Sequence, residues 1–232
     1  MKIAIMQPYI FPYIGYFQLI NAVDKFVIYD DVNYIKKGWI NRNNFLSNGK
    51  IHRFTIPLIN ASQNRLIKDT QISKTENWEA DLLNTISNSY KKAPCFDVVF
   101  GIIKEILSQD EHNIAKYNHS ALLIISKYLE IETEFLFSSE LNKDNALKGS
   151  AKIVDICKIL NATDYINPIG GLELYSKENF LMEKIELKFL KSNVIEYKQF
   201  EDEFIPWLSI IDVLMFNSKN EVKNLLNEYT LV

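Results

Sequence analysis

The chain has 232 residues and a mass of 27.0 kDa, a length that a single α/β domain can occupy. Hydrophobic residues make up 47% and charged residues 24%, a globular balance that excludes intrinsic disorder and collagen-like repetition. The formal net charge of −3 leaves no broad basic field for binding nucleic acid through counterion release.

The first thirty residues are predicted to form a β-α-β unit. Lys2–Met6 is an apolar run of strand length, Pro12–Ile20 is typical of a helix with proline in its first turn, and Phe26–Tyr29 is a second buried strand. Strands that flank a helix in this way are expected to be parallel.

The rest of the chain continues with alternating helices and strands. With 7 glycines and 6 prolines it is poor in turn residues, which favours long elements over many short strands. Apolar residues recur with period 3.6 from Asn77 to about Leu129, which predicts three helices. The remaining predicted elements are a strand at Arg53–Leu58 after a hairpin-like Asn48-Gly49, a strand at Glu134–Phe137, a helix at Ser150–Leu160, a strand at Tyr165–Ile166, paired strands at Leu187–Phe189 and Ile195–Tyr197, and two helices between Pro206 and Tyr229 with Ser218 as a cap.

This order predicts one α/β domain over residues 1–232, with a mostly parallel sheet covered by helices on both faces. The helical segment at about 77–130 is predicted to be an insertion in the middle of the chain. The oligomeric state is not indicated by any pattern.

Targeting and metal-binding signals are lacking. Gln7-Pro8 ends the first apolar run before a signal peptide forms, and the run at 121–125 is far shorter than the ~20 residues of a membrane span. Cys95 and Cys157 lie far apart in apolar surroundings, and the three histidines have no metal-ligand spacing. We therefore predict a cytoplasmic protein with reduced cysteines, no metal and no membrane span.

The first candidate site is the cluster Gln7-Pro8-Tyr9, together with Tyr16 in the helix that follows. Ligands of open α/β sheets bind outside the carboxyl ends of the strands, where Gln7 and Tyr9 are predicted to lie. The helix that follows would offer its positive N-terminus to an anion. The alternative is that Tyr9 and its aromatic neighbours simply close the end of the sheet.

The second candidate site follows the second strand and contains Asp30, Asp31, Lys36, Trp39, Asn41 and Arg42. Such a set suits a phosphorylated or sugar-like ligand: arginine as a bidentate fork, lysine as a point charge, tryptophan as a stacking surface, aspartate as a base or hydroxyl acceptor. Alternatively, the aspartates are turn residues and the lysines a solvated face. Neighbouring strand side chains alternate faces, which argues against both aspartates acting together.

The third candidate site follows the Tyr165–Ile166 strand and comprises Asn167, Gly170, Gly171 and Tyr175. Paired glycines let backbone amides approach a ligand, although an ordinary strand-to-helix turn explains them too. Asp212, on an amphipathic helix, is either a surface charge or a carboxylate aimed at the crevice. We expect the three clusters to converge on a single hollow at one rim of the sheet.

Four stretches of the chain are similar to the WbqC-like family of bacterial proteins. They are residues 6–17, residues 29–34 with 39–43, residues 165–175 and residues 207–212. One departure is Asn167-Pro168, where the family leads us to expect a Ser-Gly pair. The resemblance links the chain to surface-polysaccharide gene clusters of the O-antigen type.

The activity implied by this resemblance is transfer of glycine or another acyl group to the amine of a nucleotide-linked amino sugar. Gln7, Asp30, Asp31, Asn41 and Arg42 would then hold the nucleotide sugar or the acyl donor. A carboxylate would take the proton of the amine, and either a lysine such as Lys36 or backbone amides would stabilise the developing oxyanion. No cofactor is indicated, and neither the donor nor the sugar is specified.

Two other functions fit the sequence. The strand–proline–helix opening also resembles nucleotidyl transferases that activate a carboxylate with ATP, but the HxGH element of such enzymes is absent. A non-catalytic protein that binds a nucleotide sugar is the third possibility. All three hypotheses have a small-molecule partner, not a nucleic acid.

Overall fold

The structure is a computed structural model that describes residues 1–74, 77–200 and 203–232. Its strands are, in chain order, β1 (Lys2–Met6), β2 (Lys25–Ile28), β3 (Arg42–Ser47), β4 (Lys50–Thr55), β5 (Leu58–Ile59), β6 (Gln71–Ile72), β7 (Glu134–Phe137), β8 (Asp164–Pro168), β9 (Glu186–Ser192) and β10 (Tyr229–Leu231). Its helices are α1 (Ile14–Asn21), α2 (Trp78–Tyr90), α3 (Phe96–Leu107), α4 (Ile114–Tyr128), α5 (Gly149–Ile159), α6 (Lys177–Met182), α7 (Ile210–Phe216) and α8 (Lys219–Leu225).

The central sheet has the spatial order β10-β9-β8-β1-β2-β7. Its neighbouring strands pair in parallel, except β10, which pairs antiparallel with β9. The predicted α/β class with a mostly parallel sheet is confirmed.

Helices cover both faces of this sheet because the strand side chains alternate between two apolar clusters. Ala4, Phe26 and Ile28 point to one face and share a cluster with residues of α1, α2, α3, α4, α7 and α8. Ile5 and Val27 point to the opposite face and pack with residues of α5 and α6. The three helices predicted from the period of 3.6 are α2, α3 and α4.

The segment after β2 differs from the prediction. Asn48 and Gly49 do form a hairpin turn, both with positive φ (51° and 68°), as such two-residue turns require. The turn joins β3 to β4, a two-stranded sheet separate from the central one. The strand predicted at Arg53–Leu58 is β4, which begins earlier, at Lys50, and ends earlier, at Thr55, while Leu58 belongs to β5. Its partner β3 is not predicted because the asparagines of β3 mask the strand pattern.

The prediction that Ile195–Tyr197 pairs with Leu187–Phe189 is wrong. The antiparallel partner of β9 is β10, near the end of the chain. Ile195 and Tyr197 alternate because they pack as a partly buried, irregular segment against the apolar cluster that contains α7. The predicted cap at Ser218 is confirmed, since its Oγ accepts from Glu221 N at 3.3 Å and its own N donates to Glu221 Oε2 at 2.7 Å.

Candidate functional site

The strand order of the sheet reverses at β1. The chain runs from β1 outward through β2 to β7 and then returns to place β8 and β9 on the other side of β1. The ladder between β1 and β8 pairs Lys2 with Asp164 and Ile3 with Tyr165, whereas β8 pairs with β9 along its full length. β1 and β8 are thus not paired with each other where Gln7 and Asn167 emerge. In open α/β sheets, ligands usually bind in the crevice at such a reversal of strand order.

A cavity of about 570 Å³ lies at the carboxyl end of β1, and we refer to it as the aromatic cavity. It brings together the predicted residues Gln7, Tyr9 and Trp39, which come from two separate stretches. Its lining residues are Met6, Gln7, Tyr9, Tyr13, Ile35, Gly38, Trp39, Ile40, Asn43 and Trp207. The walls are mainly apolar, as is usual in pockets that bind small molecules.

Hydrogen bonds to backbone carbonyls hold the first wall of the aromatic cavity. Tyr16 donates its hydroxyl to Gln7 O at 3.0 Å, and the Tyr9 ring meets the Tyr16 ring edge-on at 5.0 Å. Asn118 Nδ2 donates to Pro8 O at 3.3 Å and to Ile40 O at 2.8 Å, which joins the two stretches. The Gln7 amide has no hydrogen-bond partner in the described part of the chain. Tyr16 and Pro8 thus position the wall, while Gln7 is available to a ligand.

Gly15 makes room for the Tyr13 ring in the same wall. A Cβ at Gly15 would lie 2.3 Å from Tyr13 Oη, so a larger residue would displace the ring. Trp207 stands 6.0 Å from the Tyr13 ring, with 75% of its surface exposed and with a left-handed φ of 63°.

The second wall is the turn that precedes β3. Trp39 is 48% exposed, and the guanidinium carbons of Arg42 and Arg53 lie 6.0 Å and 5.9 Å from its ring centre. Asn41 faces inward instead, where its Oδ1 accepts from Tyr34 Oη at 2.8 Å and its Nδ2 donates to Ile56 O at 2.7 Å. Lys36 is exposed and forms no ion pair with any described residue. Arg42 therefore lies beside Trp39 but outside the lining of the cavity, whereas Asn41 stabilises the turn.

A second group at the same sheet edge is a buried ion cluster of Asp31, Lys143, Lys152 and Ser138. The Asp31 carboxylate lies 2.8 Å from Lys143 Nζ and 2.9 Å from Lys152 Nζ, and Ser138 Oγ donates to it at 2.7 Å. The side chains of all three charged residues are at most 7% exposed. Burial alone would raise the pKa of Asp31, but hydrogen bonds from Lys143, Lys152 and Ser138 lower it below its ordinary value.

The neighbouring Asp30 and Tyr29 complete this edge. Asp30 accepts from Ser139 N at 3.0 Å and from Ser139 Oγ at 2.6 Å. The Tyr29 ring lies 5.1 Å from Lys152 Nζ, and burial together with the charge of Asp31 raises the pKa of Tyr29 to about 12. Both aspartates therefore attach the loop after β7 to the end of β2. Asp31 in particular is a weak base because its pKa is lowered.

The third predicted cluster lies beside β8, outside the lining of the aromatic cavity. Tyr165 donates its hydroxyl to Asn167 Oδ1 at 3.0 Å, and Asn167 Nδ2 donates to Pro168 O at 3.2 Å. The Tyr175 ring packs edge-on against the Tyr165 ring at 5.8 Å. The predicted residues thus lie at one rim of the sheet in separate groups, the aromatic cavity and the polar ends of β2 and β8.

Substitution by alanine is expected to affect stability differently at the two glycines of this third cluster. A Cβ at Gly171 would lie 1.9 Å from Asn167 Nδ2, whereas a Cβ at Gly170 would meet no described atom within 4 Å. We expect Gly171→Ala to lower the free energy of unfolding by about 1–3 kcal/mol through overpacking. Gly170→Ala is the matched control and should leave it unchanged. Denaturant unfolding of both variants measures this, and equal midpoints would contradict the packing shown here.

Asp212 is neither a surface charge nor a carboxylate in the crevice. It is fully buried at the start of α7, where it accepts from Tyr90 Oη at 2.7 Å, Tyr197 Oη at 2.7 Å and Gln199 Nε2 at 2.6 Å. Burial raises its pKa despite these hydrogen bonds. The predicted binding role is replaced by an internal one, because the first turn of α7 faces the core.

Sequence reasoning missed several residues of the site. Tyr13 and Trp207 line the aromatic cavity, and Lys143 and Lys152 bind Asp31. A signal existed for Lys152, which precedes the buried Ile156 by one helical turn and so lies on the apolar face of α5. Trp207 opens one of the four family-like stretches, 207–212, whereas nothing in the local sequence of Lys143 distinguishes it.

In residues 1–74, 77–200 and 203–232, no three His, Cys, Asp or Glu side chains are grouped as metal ligands would be. Nor does any helix there have the length and apolar character needed to cross a bilayer. Cys157 is a buried free thiol, and burial raises its pKa to about 12, which suits a packing role.

Comparisons with known proteins agree with the resemblance in the motifs. The chain is 28% identical over 228 residues to the uncharacterized protein Rv1507c of Mycobacterium tuberculosis, an alignment that covers 97% of each chain. No solved structure matches the chain. The model of the WbqC-like protein family matches residues 7–224. This match covers nearly the whole chain, which therefore belongs to the WbqC-like protein family.

Proposed function

We propose that the protein is a cytoplasmic transferase that attaches an acyl or aminoacyl group, such as glycyl, to the amine of a nucleotide-linked amino sugar in surface-polysaccharide biosynthesis. The observation that carries the proposal is the aromatic cavity at the strand-order reversal, with the free amide of Gln7 in its wall. Arg42 and Arg53 are cations beside Trp39, a lining residue of this cavity, and suit the phosphates of such a substrate.

The reaction needs one proton acceptor. The amine nitrogen attacks the carbonyl carbon of the donor, a C–N bond forms, the bond to the donor's leaving group breaks, and the amine loses a proton. Asp31 is neutralised by two ammonium groups, whereas Asp30 is bonded to the neutral groups of Ser139. We therefore assign the proton to Asp30, and stabilisation of the oxyanion to Lys36.

A second candidate is a protein that binds a nucleotide sugar without catalysis. The observation that favours it is that the carboxylates of both Asp30 and Asp31 are already engaged by hydrogen bonds from the loop after β7. A carboxylate that serves as an anchor for a loop is poorly placed to accept a proton from a substrate.

Mass spectrometry of nucleotide amino sugars incubated with acyl-thioester and aminoacyl donors tests the proposal. We expect one pair to gain the mass of the acyl group, and Arg42→Ala to lower this turnover roughly tenfold or more, as loss of a charged contact to substrate does. The melting temperature should stay nearly constant, as should the turnover of Lys104→Ala, an exposed cation on α3.

Three results would count against the transferase. Binding of a nucleotide sugar with unchanged mass under every donor favours the second candidate. Release of pyrophosphate from ATP would indicate carboxylate activation instead. A large drop in the melting temperature of Arg42→Ala would show that Arg42 is structural.

A further inference from the structure

We infer that the aromatic cavity is a nucleobase site, in which a flat heterocyclic ring stacks against Trp39 and Trp207. The inference deepens the proposed function, since it rests on a nucleotide-linked substrate and assigns the base to a defined place. It does not depend on whether the protein catalyses a transfer.

The first argument is the state of Trp207. An indole with 75% of its surface in water gains little from burial, and a bulky residue with φ of 63° is strained. Its one aromatic neighbour among the described residues is the Tyr13 ring at 6.0 Å. A base stacked on the indole would supply the contacts that the protein itself does not.

The second argument is the polar content of the cavity. The Asn43 amide is fully used, because Nδ2 donates to Ile10 O at 3.0 Å and Phe11 O at 2.7 Å while Oδ1 accepts from Asn44 N at 2.8 Å. Of the two side-chain amides in the lining, that of Gln7 remains free, with a donor and an acceptor side by side. A carbohydrate needs many hydrogen bonds, but the edge of a base is matched by one such amide.

The third argument is charge. The guanidinium carbons of Arg42 and Arg53 lie 6.0 Å and 5.9 Å from the Trp39 ring centre, and no Asp or Glu is among the residues that line the cavity. A base on Trp39 would place its phosphates next to two groups that bind phosphate as planar forks. The volume of about 570 Å³ is also that of a small-molecule pocket.

Isothermal titration with ADP, GDP, UDP, CDP and TDP tests the inference on the full chain. We expect at least one of them to bind, and inorganic pyrophosphate to bind roughly tenfold or more weakly because it cannot stack. Trp39→Ala and Trp207→Ala should each weaken the nucleotide roughly tenfold or more, whereas Trp207→Phe should retain most of the affinity. Met182→Ala, at a side chain that is 77% exposed on α6, is the matched control and should bind as the wild type does.

The inference is overturned if none of the five nucleotides binds, if pyrophosphate binds as tightly as they do, or if both alanine variants bind like the wild type. These results differ from a failure of the proposed function. Turnover of a nucleotide sugar with unchanged KM in both alanine variants would contradict the nucleobase site but not the transferase. Nucleotide binding that depends on both tryptophans, without any change in the mass of the sugar, would contradict the transferase but not the nucleobase site.

Discussion

Replacing Asp212 with alanine is expected to lower the free energy of unfolding by about 3–5 kcal/mol, because each buried donor left without an acceptor costs about 1–3 kcal/mol. The substitution leaves three donors, from Tyr90, Tyr197 and Gln199, without their acceptor in the core. The Tyr90 hydroxyl also accepts from Leu46 N at 2.8 Å, so β3 loses part of its support as well. Equilibrium unfolding in urea measures the loss.

The control for this prediction is Asp97→Ala, which removes an exposed carboxylate from the first turn of α3 and should change stability by only a few tenths of a kcal/mol. Equal stabilities of the two variants would show that Asp212 is not the internal acceptor described here.

Because burial raises the pKa of Asp212 in the folded state, its contribution to stability is greatest at acidic pH and declines as pH rises through that pKa.

Asp31→Asn is expected to lower the free energy of unfolding by about 3 kcal/mol, because it leaves two buried ammonium groups without a counter-charge. The isosteric amide keeps the shape of the side chain, so the loss reports charge and not packing. Asp144→Asn, at an exposed position in the loop before α5, is the matched control. If Asp31→Asn unfolded at the wild-type urea concentration, the ion cluster would be contradicted.

The pH dependence of stability gives a second test of Asp31. Its pKa is lowered in the folded state, so the unfolded chain binds the proton more readily. The ion cluster therefore stabilises the protein fully above the ordinary aspartate pKa, and this stabilisation is lost as pH falls from about 4 towards the folded pKa. In Asp31→Asn this part of the acid destabilisation should disappear. If the variant lost as much stability at acidic pH as the wild type does, the assignment of Asp31 to the ion cluster would be contradicted.

Local periodicity was sufficient for the fold class. The helices α2, α3 and α4 and the strands β1, β2 and β8 follow from apolar spacing, which reports directly on which side chains reach the core. The same signal misled at Ile195–Tyr197, because an irregular segment lying on a helix buries alternate residues just as a strand does. Spacing shows burial, but it does not show what covers the buried side.

The candidate site was predictable only in part, for a related reason. Gln7 and Tyr9 could be proposed because they directly follow a strand, and Trp39 because it is an aromatic residue shortly after the next strand in the sequence. Lys143 and Lys152 could not be connected with Asp31, since their contact depends on the path from β7 to α5. The assignment of Asp212 to the crevice failed because the orientation of α7 is set by packing and not by its own sequence.

Trp207 lies far along the chain from the other residues of the aromatic cavity, and hydrogen bonds from Ser209 N to Asn44 O at 2.9 Å and from Ile210 N to Pro12 O at 2.7 Å fasten its segment to the early loops. During synthesis the ribosome releases these early loops long before the residues that close over them. A nascent chain would thus carry an open, incomplete wall until the segment of Trp207 has also been synthesised. A ligand that needs the complete wall could then bind only after the Trp207 segment has docked on the early loops.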